Sequence, residues 1–405
     1  MTSPSLAPGR IAPLDGLRGV AALIVLAHHL SLLVPGVSAV YLPEEGVPSP
    51  VAGSLVWWFT FTPLKLLTAG PEAVIVFFVL SGFVLTLPLL RPRPFDWMEY
   101  YPRRVLRIGL PVLCSLLFAA ALALLIPQHP DRAMTSWIAG TSMPDITVEA
   151  FIRQLDPTTA SYSLNNPLWS IYWEVAFSLM LPIFVGLAIW MRRVWPLALL
   201  AAATSIFFGV DGGAGGFHYL PAFFFGVVGA VLLPGIRRIG SAISARRLGW
   251  LAWLALLVGS ALLLVAHWMV TDVFTATVLV ALQPLASLGL LVVCLEWRPV
   301  ARLLSHQPFR WTGKVSFSLY LVHVPIIVTV SYALGAAGPS LVAALSVPAV
   351  LIVAALFYEL VEKRSHALSK LFGARVAASV HRRVPGLAPA EITDEAIRSA
   401  ADPRR

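Results

Sequence analysis

The stretch LDGLRGVAALIVLAHHL at 14–30 decides how this chain is read. With its apolar neighbours it is long enough to cross a bilayer, which takes roughly 20 mostly apolar residues. Yet it carries Asp15, Arg18, His28 and His29, groups that are costly at that depth and are therefore functional candidates. Arg18 and His29 are eleven residues apart. At 3.6 residues per turn this is almost three whole turns, so both side chains share one stripe, roughly 16 Å apart along the axis. Asp15 falls near the same stripe, one turn below Arg18, where it can pair with it. His28 points about a quarter-turn away. For an isolated Arg and His a structural role would be preferred; the spaced pair on an apolar span favours function.

The rest of the chain has the same character. Of 405 residues 58% are apolar and 12% charged, which excludes an ordinary soluble domain, where about a quarter are charged. The formal charge of +9 comes from Arg pairs set between long apolar runs. It therefore reads as membrane topology and not as a nucleic-acid surface. Apolar runs near 12–34, 70–90, 103–127, 168–191, 194–210, 217–234, 248–267, 273–295, 315–336 and 339–361 predict an all-α bundle of ten spans. With the N-terminus inside, the inner loops hold Arg91, Arg93, Arg103, Arg104 and Arg107, then Arg192 and Arg193, then Arg237, Arg238, Arg246 and Arg247, then Arg298, Arg302, Arg310 and Lys314. The outer loops hold Lys65, Arg132 and Arg153. That alternation follows the positive-inside rule, so both termini are expected in the cytoplasm of a multi-pass inner (plasma) membrane protein. The first span is too long and too polar to be a cleaved signal.

The apolar stretch 53–68 would invert every later loop if it crossed, so it is placed as an interfacial or re-entrant segment on the outer side. The long outer loop 128–167 is expected to form a partly ordered cap. GVDGGAGG at 209–216 has the glycines of a phosphate loop but no Lys, and is read as a flexible turn. One membrane domain covers 1–364, followed by a cytoplasmic tail of low order over 365–405. Cys114 and Cys294 lie in apolar runs without a CxxC or Cys/His cluster, so neither a disulfide framework nor a metal is expected.

Three further groups carry candidate chemistry. Glu174, in NNPLWSIYWEVAFSLMLP, counts to roughly 9 Å below the outer end of the fourth span, and His29 to about 8 Å below the outer end of the first. At a shared depth the carboxylate would orient the imidazole as a general base; the alternative is a carboxylate that caps the neighbouring loop. In YYPRRVLRIGLP at 100–111, Arg104 and Arg107 share a helical face and Arg103 stands one turn from Arg107. Such a fork suits phosphate; lipid headgroups or topology marking explain it equally well. In SFSLYLVHVP, Ser316, Tyr320 and His323 lie along one face, where His323 is as much a packing residue as a catalyst. Tyr320, His323, Trp169 and Ser81 are the residues taken to line the acceptor site, although helix packing is the preferred reading of Ser81 and Gly82.

In this set of motifs, from LDGLRGVAALIVLAHHL through FFVLSGFVLT, RRVLRI, PLWSIYWEVAFSL and SLYLVHVP to YELVEKR at 358–364, the chain resembles the acyltransferase 3 family of membrane acyltransferases. The resemblance implies His29 as catalytic residue, Arg18 as its Arg partner, Arg104 and Arg107 at the acyl-CoA site and Glu174 as the functional acid of the fourth span. It implies acyl-CoA, in the first instance acetyl-CoA, as donor, and a carbohydrate, glycan or small hydroxylated metabolite as acceptor. No metal is implied. A homodimer is an open alternative. The PEAVIV before FFVLSGF lacks the Gly and polar residue common there. A proton-coupled transporter or flippase is the rival class, disfavoured by the lack of an internal repeat.

Overall fold

The computed structural model describes residues 11–43, 46–91, 95–155 and 162–387. Arg93 and the end of the tail, on which expectations were placed, lie outside them. Among the described residues all regular structure is helical. The helices are α1 (Ala12–Ser31), α2 (Pro35–Tyr41), α3 (Leu55–Phe61), α4 (Gly70–Thr86), α5 (Trp97–Leu125), α6 (Ser136–Gly140), α7 (Val148–Leu155), α8 (Leu168–Trp190) and α9 (Trp195–Asp211). They continue with α10 (Gly215–Val231), α11 (Leu233–Ser244), α12 (Gly249–Val265), α13 (Val273–Glu296), α14 (Arg298–Leu304), α15 (Gln307–Leu334), α16 (Pro339–Phe357) and α17 (Lys363–Arg383).

A helix stands at each of the ten runs read from the sequence. Among the described residues seven helices are long and apolar enough to cross a membrane, and up to nine if each of two bent pairs counts as one span. The pairs are α1 with α2, bent by 108°, and α10 with α11, bent by 69°. The apolar α4 has 17 residues, short of the length of a full span. Local chemistry marks the ends. Asp96 caps α5 by accepting from the Met98 and Glu99 amides, and Asp272 caps α13 by accepting from the Thr275 amide. Prolines open α1, α2 and α4, where a missing amide proton costs nothing.

Helix against helix, lipid gives no hydrophobic drive, so close packing through small residues holds the bundle. A Cβ on Gly82 would collide with the Phe223 carbonyl, and one on Gly226 with the Val79 carbonyl, so α4 and α10 cross in van der Waals contact. Gly16, Gly19 and Gly313 do the same where α1 meets α14 and α15. The packing reading of Gly82 is thus the right one.

Two expectations need correction, those on the tail and on Lys65. Residues 365–383 of the tail lie in α17, packed on α5 where Gly373 meets the Glu99 carbonyl. The polar composition reads as low order, but α17 prolongs α16 through one π-helical turn at Tyr358–Glu362 and so inherits a nucleus. The turn read at GVDGGAGG is present: α9 ends at Asp211, Gly213 takes φ +63°, and Gly209 sits against the His218 backbone. Lys65, counted as an outer-loop charge, is fully buried. The segment around it does form short, non-crossing helical turns, with Leu55, Trp58, Phe59, Leu64 and Leu67 exposed. Lys65 turns inward instead, donating to the Tyr41 hydroxyl at 2.5 Å and lying 4.5 Å from the Trp268 ring centre. Burial holds its pKa down to about 8, against the attraction of Glu72.

Candidate active site

Two histidines from opposite ends of the sequence meet inside the bundle. His29 Nδ1 lies 3.1 Å from His323 Nε2 and 2.9 Å from the Val25 carbonyl. His323 Nδ1 lies 2.9 Å from the Tyr320 carbonyl and 3.1 Å from that of Leu319. Both side chains are buried. A carbonyl can only accept, so for neutral rings His323 carries its proton on Nδ1, which leaves Nε2 as an acceptor. His29 Nδ1 then faces two acceptors and must carry the proton, donating to Val25 and His323. The lone pair of His29 is thereby placed on Nε2. That tautomer is what a general base needs. Asn166, from the loop before α8, reaches His29 with its side chain, and Trp137 of α6 lies 5.4 Å from it, ring centre to ring centre. His28 points elsewhere, its Nδ1 3.1 Å from the Thr68 carbonyl and its ring against Gly70, where no Cβ would fit.

One turn of α15 below His323, Tyr320 closes the top of a cavity of about 160 Å³. Its hydroxyl is 2.6 Å from Ser170 Oγ of α8. The cavity is lined by Arg18, Arg104, Arg107, Glu174, Tyr320 and Glu362, among others; neither His29 nor His323 lines it. At the other end it shares Arg18, Arg107 and His366 with a wider vestibule of about 1110 Å³. There Arg91, Arg192 and Arg237 join Arg18 and Arg107, against Asp15 as the lining carboxylate. An anion entering this vestibule meets a row of guanidinium groups that narrows toward the histidines.

The structure brings Arg18, Arg104 and Arg107 to one passage, as the sequence suggested, but rearranges the acid. Glu174 Oε1 accepts from Arg104 Nη2 at 2.6 Å, and Arg104 Nε donates to Ser178 Oγ at 3.0 Å. Glu174 has no bond to His29; the partner expected from Glu174 is supplied by His323 instead. The depth counts gave height along the membrane normal but not direction around the helix, and α8 turns Glu174 toward α5. Arg103 lies outside the passage, paired with Glu99 at 3.4 Å beside α17. The α5 helix begins at Trp97, so Arg104 and Arg107 stand about two and three turns from its start. Among the acceptor-site residues, Tyr320 and Ser81 line the inner cavity, Trp169 does not and lies tilted against Tyr219 with ring centres 5.0 Å apart, and His323 pairs with His29.

Sequence reasoning missed several residues here. Glu362 is turned inward by the π-helical turn and accepts from Ser318 Oγ at 2.6 Å; a widened turn of this kind often marks a functional position. Its signal was present in YELVEKR, whose first Glu, Glu359, is exposed and pairs with Lys363. Arg91, Arg192 and Arg237 were read as topology alone. Asn165 pins the loop before α8 by donating to the Leu321 carbonyl at 2.9 Å, which sets Asn166 beside His29.

A family model described as an acyltransferase domain matches residues 11–359. The acyltransferase MdmB of Streptomyces mycarofaciens is 29% identical over 339 residues, covering 78% of this chain and 79% of that protein. The acyltransferase R4 of a Phoma species is 25% identical over 188 residues, covering 36% of this chain and 39% of that protein. No solved structure matches. The family match spans most of the chain, including Arg18, His29, Arg104, Arg107, Glu174 and His323, and on that ground the chain belongs to the acyltransferase 3 family of membrane acyltransferases.

Proposed function

We propose that this multi-pass membrane acyltransferase moves an acyl group, acetyl in the first instance, from acyl-CoA to a hydroxyl of a carbohydrate acceptor, with His29 Nε2 as the general base. The observation that carries the reading is the buried His29–His323 hydrogen bond, one turn of α15 from Tyr320, which lines the arginine-lined cavity. The vestibule arginines hold the nucleotide phosphates, and the pantetheine arm runs past Arg18 and Arg107 toward Tyr320. Tyr320 must swing aside for the thioester to reach the base.

His29 Nε2 takes the acceptor's hydroxyl proton as that oxygen attacks the thioester carbon. The C–O bond forms, the C–S bond breaks, and the imidazolium returns the proton to the thiolate, so the step balances without a further reactant. His323 Nε2 accepts from His29 Nδ1–H throughout and strengthens that bond as the charge on His29 grows. Glu174 holds Arg104 in place and acts on the donor. The arginine-rich end faces the cytoplasm under a ten-crossing topology, so the donor enters from inside and the acceptor from the capped side.

Titrating CoA onto the purified protein tests the donor half. The Arg91→Gln/Arg192→Gln/Arg237→Gln variant should raise Kd by about tenfold or more for each guanidinium lost, as charge-assisted bonds do. Unchanged affinity would remove the vestibule from the account.

A further inference from the structure

On the arginine-rich end, beside the vestibule but lined by none of its residues, α11, α12, α13 and α14 form a second groove of about 630 Å³. Arg246, Arg247 and Arg298 line it, with Trp250 and Trp297 as walls. All three arginines are exposed, and none makes an ion pair among the described residues. The one carboxylate in the lining, Glu296, is 3.9 Å from Arg237, which belongs to the vestibule. The groove is therefore a cationic pocket whose charge is not balanced from within.

Its shape is built in. A Cβ on Gly249 would collide with the Ile243 carbonyl, so the α11–α12 corner closes tightly, and Gly240 packs α11 against Glu296. The Trp253 indole, buried behind the groove, donates to Ser244 Oγ at 3.1 Å and ties the two helices together. From this pocket an exposed apolar stripe runs along α12 through Leu251, Leu254, Val258 and Leu262, at the three- and four-residue steps of one helical face. Tryptophans beside basic side chains at the end of such a stripe are the composition of a membrane interface.

We propose that this groove binds an anionic phospholipid: its phosphate sits among Arg246, Arg247 and Arg298, its glycerol region lies against Trp250 and Trp297, and its acyl chains follow the α12 stripe. The apolar continuation is what selects a lipid over a free phosphate or nucleotide, neither of which has any use for it. The site is separate from the donor passage and does not rest on the acyl-transfer reading.

The test is native mass spectrometry of the full chain in neutral detergent, with phosphatidylglycerol and phosphatidylcholine of identical chains in competition. At about a factor of five per basic side chain, three arginines predict a preference for phosphatidylglycerol on the order of a hundredfold. The Arg246→Gln/Arg247→Gln/Arg298→Gln variant should bring it near parity, and the corresponding triple Lys variant should keep most of it, because a phosphate among exposed groups reads charge. Millimolar inorganic phosphate should not displace the lipid. Equal binding of the two lipids, an unchanged preference in the Gln variant, or displacement by inorganic phosphate would each overturn the proposal, the last by making the groove a free-anion site. Unchanged thermal unfolding of the Gln variant in lipid-free detergent keeps loss of fold apart from loss of binding.

Discussion

Replacing His323 separates the role of positioning partner from that of base. His323 is fully buried and offers His29 a single acceptor atom, Nε2, at 3.1 Å. In His323→Leu that acceptor is gone, but the Val25 carbonyl still holds the His29 Nδ1 proton at 2.9 Å. The tautomer therefore survives, and the loss is one hydrogen bond to a ring that becomes cationic in the transition state. Such a bond contributes about 1.5–3 kcal/mol, which is about a tenfold to hundredfold fall in kcat. Had the tautomer itself been lost, the fall would approach the roughly 10⁴-fold seen when a catalytic histidine is held in the wrong form. His323→Gln places an amide oxygen near the former Nε2 and should recover most of the rate. The assay is initial-rate acyl transfer in detergent, with kcat and donor KM determined separately and donor KM staying within about twofold, as expected when uniform donor binding is untouched. A wild-type rate in His323→Leu, or a collapse as deep as that of His29→Ala, refutes the assignment, as does failure of Gln to outperform Leu.

Other expectations follow from the same contacts. Glu174→Gln keeps a hydrogen-bond acceptor for Arg104 but removes its charge, so donor KM should rise about tenfold while kcat changes less; a fall in kcat alone would return Glu174 to the base. In sealed vesicles of known orientation, acyl-CoA should serve from the arginine-rich face alone and the acceptor from the other; use of both substrates from one face would contradict the sidedness. Lys65 has its folded-state pKa depressed to about 8, so the native state binds its proton less tightly than the unfolded chain. Between about pH 8 and the ordinary lysine value, stability should rise with pH relative to Lys65→Met, measured as the difference in Tm; a difference independent of pH would mean that Lys65 is not titrating.

How much of this was legible in the sequence depended on what kind of information each feature needs. Helix positions came from apolar runs, since hydrocarbon thickness fixes their length and the backbone must bond to itself. Arg18 and His29 were found because the period of one helix places them on one stripe. Pairing across helices needs rotation as well as depth, and that depends on packing: Gly82 against Phe223 sets α4, and the α5 start at Trp97 carries Arg104 inward to Glu174. His323 was singled out, yet nothing in SLYLVHVP told a packing residue from the partner of His29, 294 positions away. Lys65 was misread because its neighbours are apolar on both faces and its one inward direction is set by Tyr41 and Trp268, from distant helices.

The central claim is that His29, and not its neighbour, is the base. Release of CoA thiol from acetyl-CoA in the presence of acceptor, followed in purified protein for His29→Ala and His28→Ala side by side, tests it most directly. A loss of about 10²–10⁴-fold is expected for His29→Ala, with expression and Tm near those of the wild type, and a much smaller loss for His28→Ala, whose ring is held by the Thr68 carbonyl. Equal losses in the two variants, or acceptor-dependent thiol release that persists without His29, would contradict it.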